Sequence, residues 1–183
     1  MSILEDRLKE LAEPYRDHRL NLKTALSDSS LSVEERYAVA VAAAAFARDL
    51  SLVQLLRDAS EGAVSPEAIE DALAASAIMS MNTVYYRSIH MLGKPGYEQM
   101  PPRLRMNRMM KPASSKRLFE LCSLACAAVA GCQRCLAAHE ATLRKEGVTE
   151  QQVHDAVRTA AIVHGVTNAL ALSGAASEVE KGA

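Results

Sequence analysis

The sequence predicts an all-α fold of eight or nine helices, and three observations carry that prediction. Ala, Leu, Glu, Arg, Lys and Gln dominate its 183 residues, and these side chains lose least on entering a helix. No stretch alternates apolar and polar residues with the period of two that a half-buried strand requires. The prolines, Pro14, Pro66, Pro95, Pro101, Pro102 and Pro112, fall between apolar-periodic stretches or in their first turns, where a missing N–H is tolerated.

The elements follow in order along the chain. The start, MSILEDRLKE, is charged and amphipathic and has no signal-peptide core. Ser32 with Glu35 reads as a capping box that opens a helix at about 33–47. Ser65 followed by Pro66 is an N-cap with proline at the first helical position, opening a long helix to about residue 90. GKPGYEQMPP, 93–102, is the clear long loop. SKRLFELCSLACAAVA, 115–130, is strongly helical, and Gly131 directly after it is placed to end that helix. Thr149 with Gln152 forms a second capping box, and the tail 173–183 is expected to fray.

Composition excludes several classes of function. A net charge of −1 gives no electrostatic footprint for nucleic acid or an anionic membrane. Apolar residues make up 49% of the chain, yet no apolar run reaches the roughly 18–20 residues of a membrane span. A cytoplasmic protein is expected. There, structural disulfides are uncommon and closely spaced cysteines point to catalysis or metal binding.

The chain is expected to form one domain, 1–183, that contains itself twice, at roughly 32–92 and 115–175. VSPEAIEDALAASAIMSMNTV (64–84) aligns without gaps with VTEQQVHDAVRTAAIVHGVTN (148–168). Val64 meets Val148, Asp71 meets Asp155, Ala77 meets Ala161 and Ile78 meets Ile162. Extended backwards, the same offset of 84 sets Arg36 against Glu120, Arg48 against Cys132, Ser51 against Cys135 and Leu55 against His139. On this alignment both halves share a scaffold, and only the second carries reactive side chains.

Those side chains lie in GCQRCLAAHE, 131–140. On a helix Cys132, Cys135 and His139 are i, i+3 and i+7 and share a face. If the chain turns at Gly131, the cysteines enter the first turn of the next helix, where free N–H groups and the helix dipole favour a thiolate. Glu120 tests this picture. On one straight helix it would stand roughly 28 Å from His139. With a reversal at Gly131 the two heights differ by only about 4–5 Å. Glutamate, imidazole and thiol then form a relay in which the carboxylate orients the imidazole and helps it remove the thiol proton. Taken alone, the same cysteines also fit a metal site or a pair of buried thiols.

The spacing Glu-x11-Cys-x2-Cys-x3-His, here Glu120, Cys132, Cys135 and His139, resembles the alkyl hydroperoxide reductase D family. That family is the alkylhydroperoxidase branch of the carboxymuconolactone decarboxylase-like superfamily. The resemblance runs through MNTVYYR (81–87), LRMN (104–107), FEL (119–121), CLAAHE (135–140) and AAIVHGV (160–166). It implies an all-helical fold with an internal repeat, assembled as a homotrimer. It implies reduction of organic hydroperoxides and recycling of a partner peroxiredoxin, alkyl hydroperoxide reductase C. Electrons would come from lipoyl-bearing and dihydrolipoamide dehydrogenase-type proteins. By the same resemblance, Cys135 is the peroxidatic cysteine that passes through a sulfenic acid, and Cys132 is the resolving cysteine. Glu120 and His139 are the proton-relay pair. Arg134 stands where some members carry a histidine. No metal, haem or flavin is called for, and with no nucleotide-binding motif, electrons must arrive through another protein.

Two rival readings come from other classes: a decarboxylase-like enzyme of the same superfamily, and a zinc-stabilised, non-enzymatic module drawing ligands from Cys122, Cys126, Cys132, Cys135 and His139. Cys122 and Cys126 lie on an apolar helix face and read as core filler. Haem attachment would need histidine where Leu136 stands. His164 is expected to pack as a structural residue. His18, His90 and His154 are expected at the surface. Asn82, Tyr85, Tyr86 and Arg87 are expected to serve packing or a subunit interface.

Overall fold

A computed structural model describes residues 3–9 and 11–181 of the chain, with side chains described for residues 4–9 and 11–174. All regular structure among the described residues is helical. The order is α1 (Ile3–Lys9), a 3-10 turn (Glu13–Tyr15), α2 (Arg16–Ser27), α3 (Val33–Phe46), α4 (Leu50–Ala59) and α5 (Pro66–Leu92). There follow α6 (Pro95–Glu98), α7 (Asn107–Met110), α8 (Lys116–Ala130), α9 (Gln133–Lys145) and α10 (Glu150–Lys181). The all-α expectation holds, with ten α-helices among the described residues against the eight or nine read from sequence. Single turns account for part of the surplus: α6 falls inside the expected loop at 93–102, with Pro95 at its first position, and α7 follows that loop. The tail departs from expectation, since α10 continues to Lys181; residues 182 and 183 lie outside the described residues.

The helix ends are set by the residues the sequence offered. Ser32 Oγ accepts from the Glu35 N–H at 3.2 Å while the Ser32 N–H donates to the Glu35 carboxylate at 2.9 Å. Thr149 and Gln152 close the second capping box in the same way, at 3.2 and 3.0 Å. Ser65 accepts from the Ala68 N–H at 3.2 Å and donates its hydroxyl proton to Glu34 at 2.7 Å, which fixes the start of α5 against α3.

The core is built around α3 and α8. Every residue from Ala38 to Ala44 on α3 is buried, as is every residue from Leu118 to Ala127 on α8. Helices apolar on all sides must be enclosed, and α3 packs against α5, α8 and α10, while α8 packs against α3, α5, α9 and α10. Alanine and other small side chains let these axes approach. Arg117 Nε donates to Glu35 at 2.6 Å and joins the starts of the two central helices.

Contacts recur at the offset of 84. Asp71, fully buried on α5, accepts from the N–H and hydroxyl of Ser114 at 2.7 Å each. Asp155 on α10 accepts from the N–H and hydroxyl of Ser30 at the same 2.7 Å. Each aspartate thus clamps the segment before the other half's central helix. Burial pushes both carboxyls up, but the serine donors, Ala113 and Arg108 at Asp71, and Arg158 and Gln151 at Asp155, more than offset it. Both pKa values end below the ordinary aspartate range. Cys126 Sγ lies 3.7 Å from the carbonyl of Ala42, its own counterpart at that offset.

Two histidines differ from expectation. His164 is exposed, because the buried stripe of α10 runs through Ala156, Ala160, Val163 and Val166 and leaves it on the opposite side. His18 is half-buried, edge-on to Tyr15, beside Gly165, where an added Cβ would meet its ring at 3.0 Å. His90 and His154 are exposed as expected. Among the described residues, no helix is long and apolar enough to cross a membrane.

Candidate active site

The reversal between α8 and α9 is the local event that builds the site. Gly131 takes the left-handed conformation, φ 63°, which glycine adopts without a Cβ penalty. Its N–H bonds to the Ala128 carbonyl at 3.1 Å, and the N–H of Cys132 reaches back to the Ala127 carbonyl at 3.1 Å. This pair of bonds is a Schellman motif, which satisfies the last carbonyls of α8 and turns the chain. Arg87 on α5 donates to the Ala130 carbonyl and fastens the turn to the neighbouring helix.

Cys132 is therefore both the residue that leaves α8 and the N-cap of α9. Its Sγ accepts from the Cys135 N–H at 3.3 Å. One turn on, Cys135 faces back to it, and the two form a disulfide with Cα atoms 5.3 Å apart. The CxxC thus stands at the start of α9 as the sequence predicts. The remaining thiols are different. Burial pushes the Cys122 thiol well above its ordinary value, with Cys126 beside it adding to the shift, and burial pushes Cys126 up as well. Both sit in the core as protonated, inert groups.

The hairpin also brings Glu120 to His139. Glu120 Oε2 and His139 Nδ1 are 2.7 Å apart, and both side chains are about nine-tenths buried. Nineteen residues separate them in sequence, and the turn at Gly131 cancels that distance. A hydrogen bond to Nδ1 fixes the ring's orientation and leaves Nε2 as the atom that can exchange a proton. His139 is four residues after Cys135, on the same face of α9.

A cavity of about 210 Å³ opens onto this face. From α9 it is lined by Cys135, Ala138 and His139, with Arg134 at the edge. From α5 come Met79, Asn82 and Tyr86, at i, i+3 and i+7. Met106 and Met109, in and beside α7, close the third side. Cys135 lines the cavity and Cys132 does not. Arg134 stands over the Tyr86 ring, 5.9 Å from its centroid, and 3.6 Å from the Glu98 carboxylate on α6. A positive charge is thus held in the first turn of α9 next to Cys135. Among the described residues, no three of His, Cys, Asp and Glu converge as a metal site.

The structure brings Glu120 to His139 and Cys132 to Cys135 at one turn, as the counting in the sequence expects; the cavity's walls were not foreseen. Asn82 and Tyr86 face the cavity rather than serving packing alone; they and Met106 lie in the motifs MNTVYYR and LRMN, while Met109 carries no sequence signal beyond its apolar character. The i, i+3, i+7 stripe on α5 was visible, but nothing in the sequence showed which helix it would face.

Residues 95–178 match the carboxymuconolactone decarboxylase family. Curated relatives extend the match to nearly the whole chain. The alkyl hydroperoxide reductase AhpD of Anaeromyxobacter dehalogenans (strain 2CP-C) is 49% identical, covering 97% of this chain and 95% of that protein. The protein of the same name from Hyphomonas neptunium is 41% identical over 93% of this chain and 95% of its own length. That from Bradyrhizobium diazoefficiens is 40% identical over 97% of each. Likeness at this level along the full length is shared descent, and the chain belongs to the alkyl hydroperoxide reductase AhpD family.

Proposed function

We propose that the protein is a thiol-dependent alkyl hydroperoxidase working through the Cys132–Cys135 pair. The observation that carries the reading is the Glu120–His139 hydrogen bond, standing one helical turn from a cysteine that lines a cavity and is bonded to its neighbour. The name shared by the relatives fits the same chemistry.

In the reduced enzyme, His139, oriented by Glu120, takes the Cys135 proton. The thiolate attacks the distal oxygen of ROOH, and the O–O electron pair leaves on RO⁻. RO⁻ takes the proton from His139 and departs as ROH, leaving Cys135 as a sulfenic acid. Cys132 attacks that sulfur, water is lost, and the disulfide forms. A dithiol partner then returns two electrons by exchange. Cys135 is the sulfur reached through the cavity, so attack there expels Cys132. The leaving thiolate is received at the start of α9 by the Cys135 N–H.

The same pair suits regeneration of a partner peroxiredoxin, alkyl hydroperoxide reductase C. Lipoyl-bearing or dihydrolipoamide dehydrogenase-type proteins supply the electrons. A cysteine pair that must cycle belongs in a reducing compartment, and the cytoplasm is the proposed location. Val84, Met91, Leu92, Met100 and Met110 are large apolar side chains left exposed. They are the kind of surface an assembly covers, and a homotrimer is the proposed state. The recurrence of contacts at 84 residues supports one domain built from two copies, about 32–92 and 115–175.

The test is hydroperoxide consumption with a lipoyl donor. Cys135→Ser should abolish turnover, and Cys132→Ser should stop at a sulfenic acid on Cys135 that dimedone labels. Full turnover by Cys135→Ser would defeat the proposal.

A further inference from the structure

Asn82 is a buried amide with half of its hydrogen-bonding capacity unused. It lies on the stripe of α5 that lines the cavity, between Met79 and Tyr86. Its Nδ2 donates to the thioether of Met106 at 3.0 Å. Its Oδ1 is shut away from solvent and accepts no hydrogen bond. The reverse amide orientation would set Oδ1 against the sulfur lone pairs, so the sulfur fixes oxygen as the free atom. A buried acceptor without a donor is costly. The side chains that line the cavity with it from α5 and α7, among them Met79, Tyr86 and Met106, are largely apolar. The Met106 contact accounts for the amide's N–H but not for its oxygen.

A hydroperoxide answers this vacancy. ROO–H is uncharged, brings a single O–H donor, and carries an alkyl group that suits walls of methionine. Resting on the peroxidase reading above, we infer that Asn82 binds the hydroperoxide and orients it. On binding, the Asn82 side chain turns its Oδ1 into the cavity, where it accepts the O–H and turns the hydroxyl oxygen toward Cys135. When the thiolate attacks that oxygen, the S–O bond forms as the O–O bond breaks, and the electron pair leaves on RO⁻. The hydroxyl proton stays on oxygen throughout, so the sulfenic acid on Cys135 inherits the hydrogen bond to Asn82. Cys135 is oxidised by two electrons and the peroxide is reduced by two. His139 delivers the proton that RO⁻ needs.

The experiment compares two reactions of the same reduced sulfur in the full-length protein. One is the second-order reaction with tert-butyl hydroperoxide, followed by stopped flow. The other is alkylation of Cys135 by methyl iodide, which needs the thiolate but carries no O–H or N–H donor for Oδ1 to hold. Asn82→Leu keeps most of the volume and removes the acceptor; Asn82→Ala covers the case in which leucine does not fit. Loss of one such hydrogen bond predicts peroxide reduction slowed about tenfold in either variant. Alkylation should stay within about twofold of wild type. Equal slowing of both reactions would assign Asn82 to packing and overturn the inference, as would an unchanged peroxide rate. These outcomes are separate from the peroxidase reading, which falls only if wild-type Cys135 does not react with the hydroperoxide.

Discussion

Replacing Glu120 with Gln isolates the charge behind His139. The side chain keeps its shape, and an amide oxygen can still accept from Nδ1, but the carboxylate that stabilises a protonated imidazole is gone. A charge-assisted hydrogen bond contributes roughly 1.5–3 kcal/mol and a neutral one about 0.5–1.5 kcal/mol. At 2.7 Å and with both partners nearly buried, the difference is about 1–1.5 kcal/mol, or roughly a 5- to 15-fold fall in kcat/KM. The diagnostic is a double-mutant cycle with His139→Gln, read as kcat/KM for tert-butyl hydroperoxide with a lipoyl donor. If Glu120 acts only through the imidazole, Glu120→Gln costs almost nothing once His139 is absent. The coupling should then equal the whole single-mutant penalty. Independent sites add within about 0.3–0.5 kcal/mol. Additive penalties within that margin would show that Glu120 serves the site by another route, and the relay would be wrong.

The further predictions concern the scaffold. Asp71→Asn and Asp155→Asn each replace a buried charged acceptor with a neutral amide that satisfies the serine N–H and hydroxyl donors less well, and should cost about 1–2 kcal/mol in urea unfolding; a loss under about 0.5 kcal/mol would refute the clamp. Because both carboxyls titrate below the aspartate value of 3.8 in the folded state, their contribution is whole above that pH. It is lost as pH falls through the lower folded value, so the variants should lose less stability than wild type on acidification below about pH 4. At the turns, Gly131→Ala should destabilise by about 1 kcal/mol, from the left-handed backbone alone, since an added Cβ meets nothing within 4 Å. Arg48→Gly, at φ 64°, should shift thermal unfolding the opposite way.

The central residues were legible because they follow from local rules. Ser32, Ser65 and Thr149 announce helix starts by their caps, and Gly131 announces a stop. A stop followed by cysteines converts a 19-residue separation into contact by counting alone. The walls of the cavity were not legible for the opposite reason. Met106, Met109 and Asn82 reach the site through the packing of α5 against α9 and of α7 against α8, which no period in the sequence encodes. His164 was misread because AAIVHGV is apolar enough to suggest burial throughout, while the helix period places residue 164 outward. Single turns such as α6 lack the length that makes a helical pattern visible.

The two halves show what it takes to turn a scaffold into a reactive site. In the first half the chain leaves α3 through Arg48 in the left-handed conformation, and Asp49 caps α4 by accepting from the Leu52 N–H at 2.9 Å. In the second half the corresponding turn uses Gly131, and the capping acceptor is the sulfur of Cys132. A carboxylate is suited to a helix start because the free N–H groups and the dipole favour negative charge there. The same field acts on a thiolate, whose ionisation is the costly step in its chemistry. Placing sulfur where the fold already holds an anion thus asks little new of the backbone. The remaining needs are a second sulfur one turn on, supplied by Cys135, and a proton acceptor on the same face, supplied by His139. The first half offers Leu52 and Leu56 at those places, so its equally well-capped turn carries neither a second thiol nor a base.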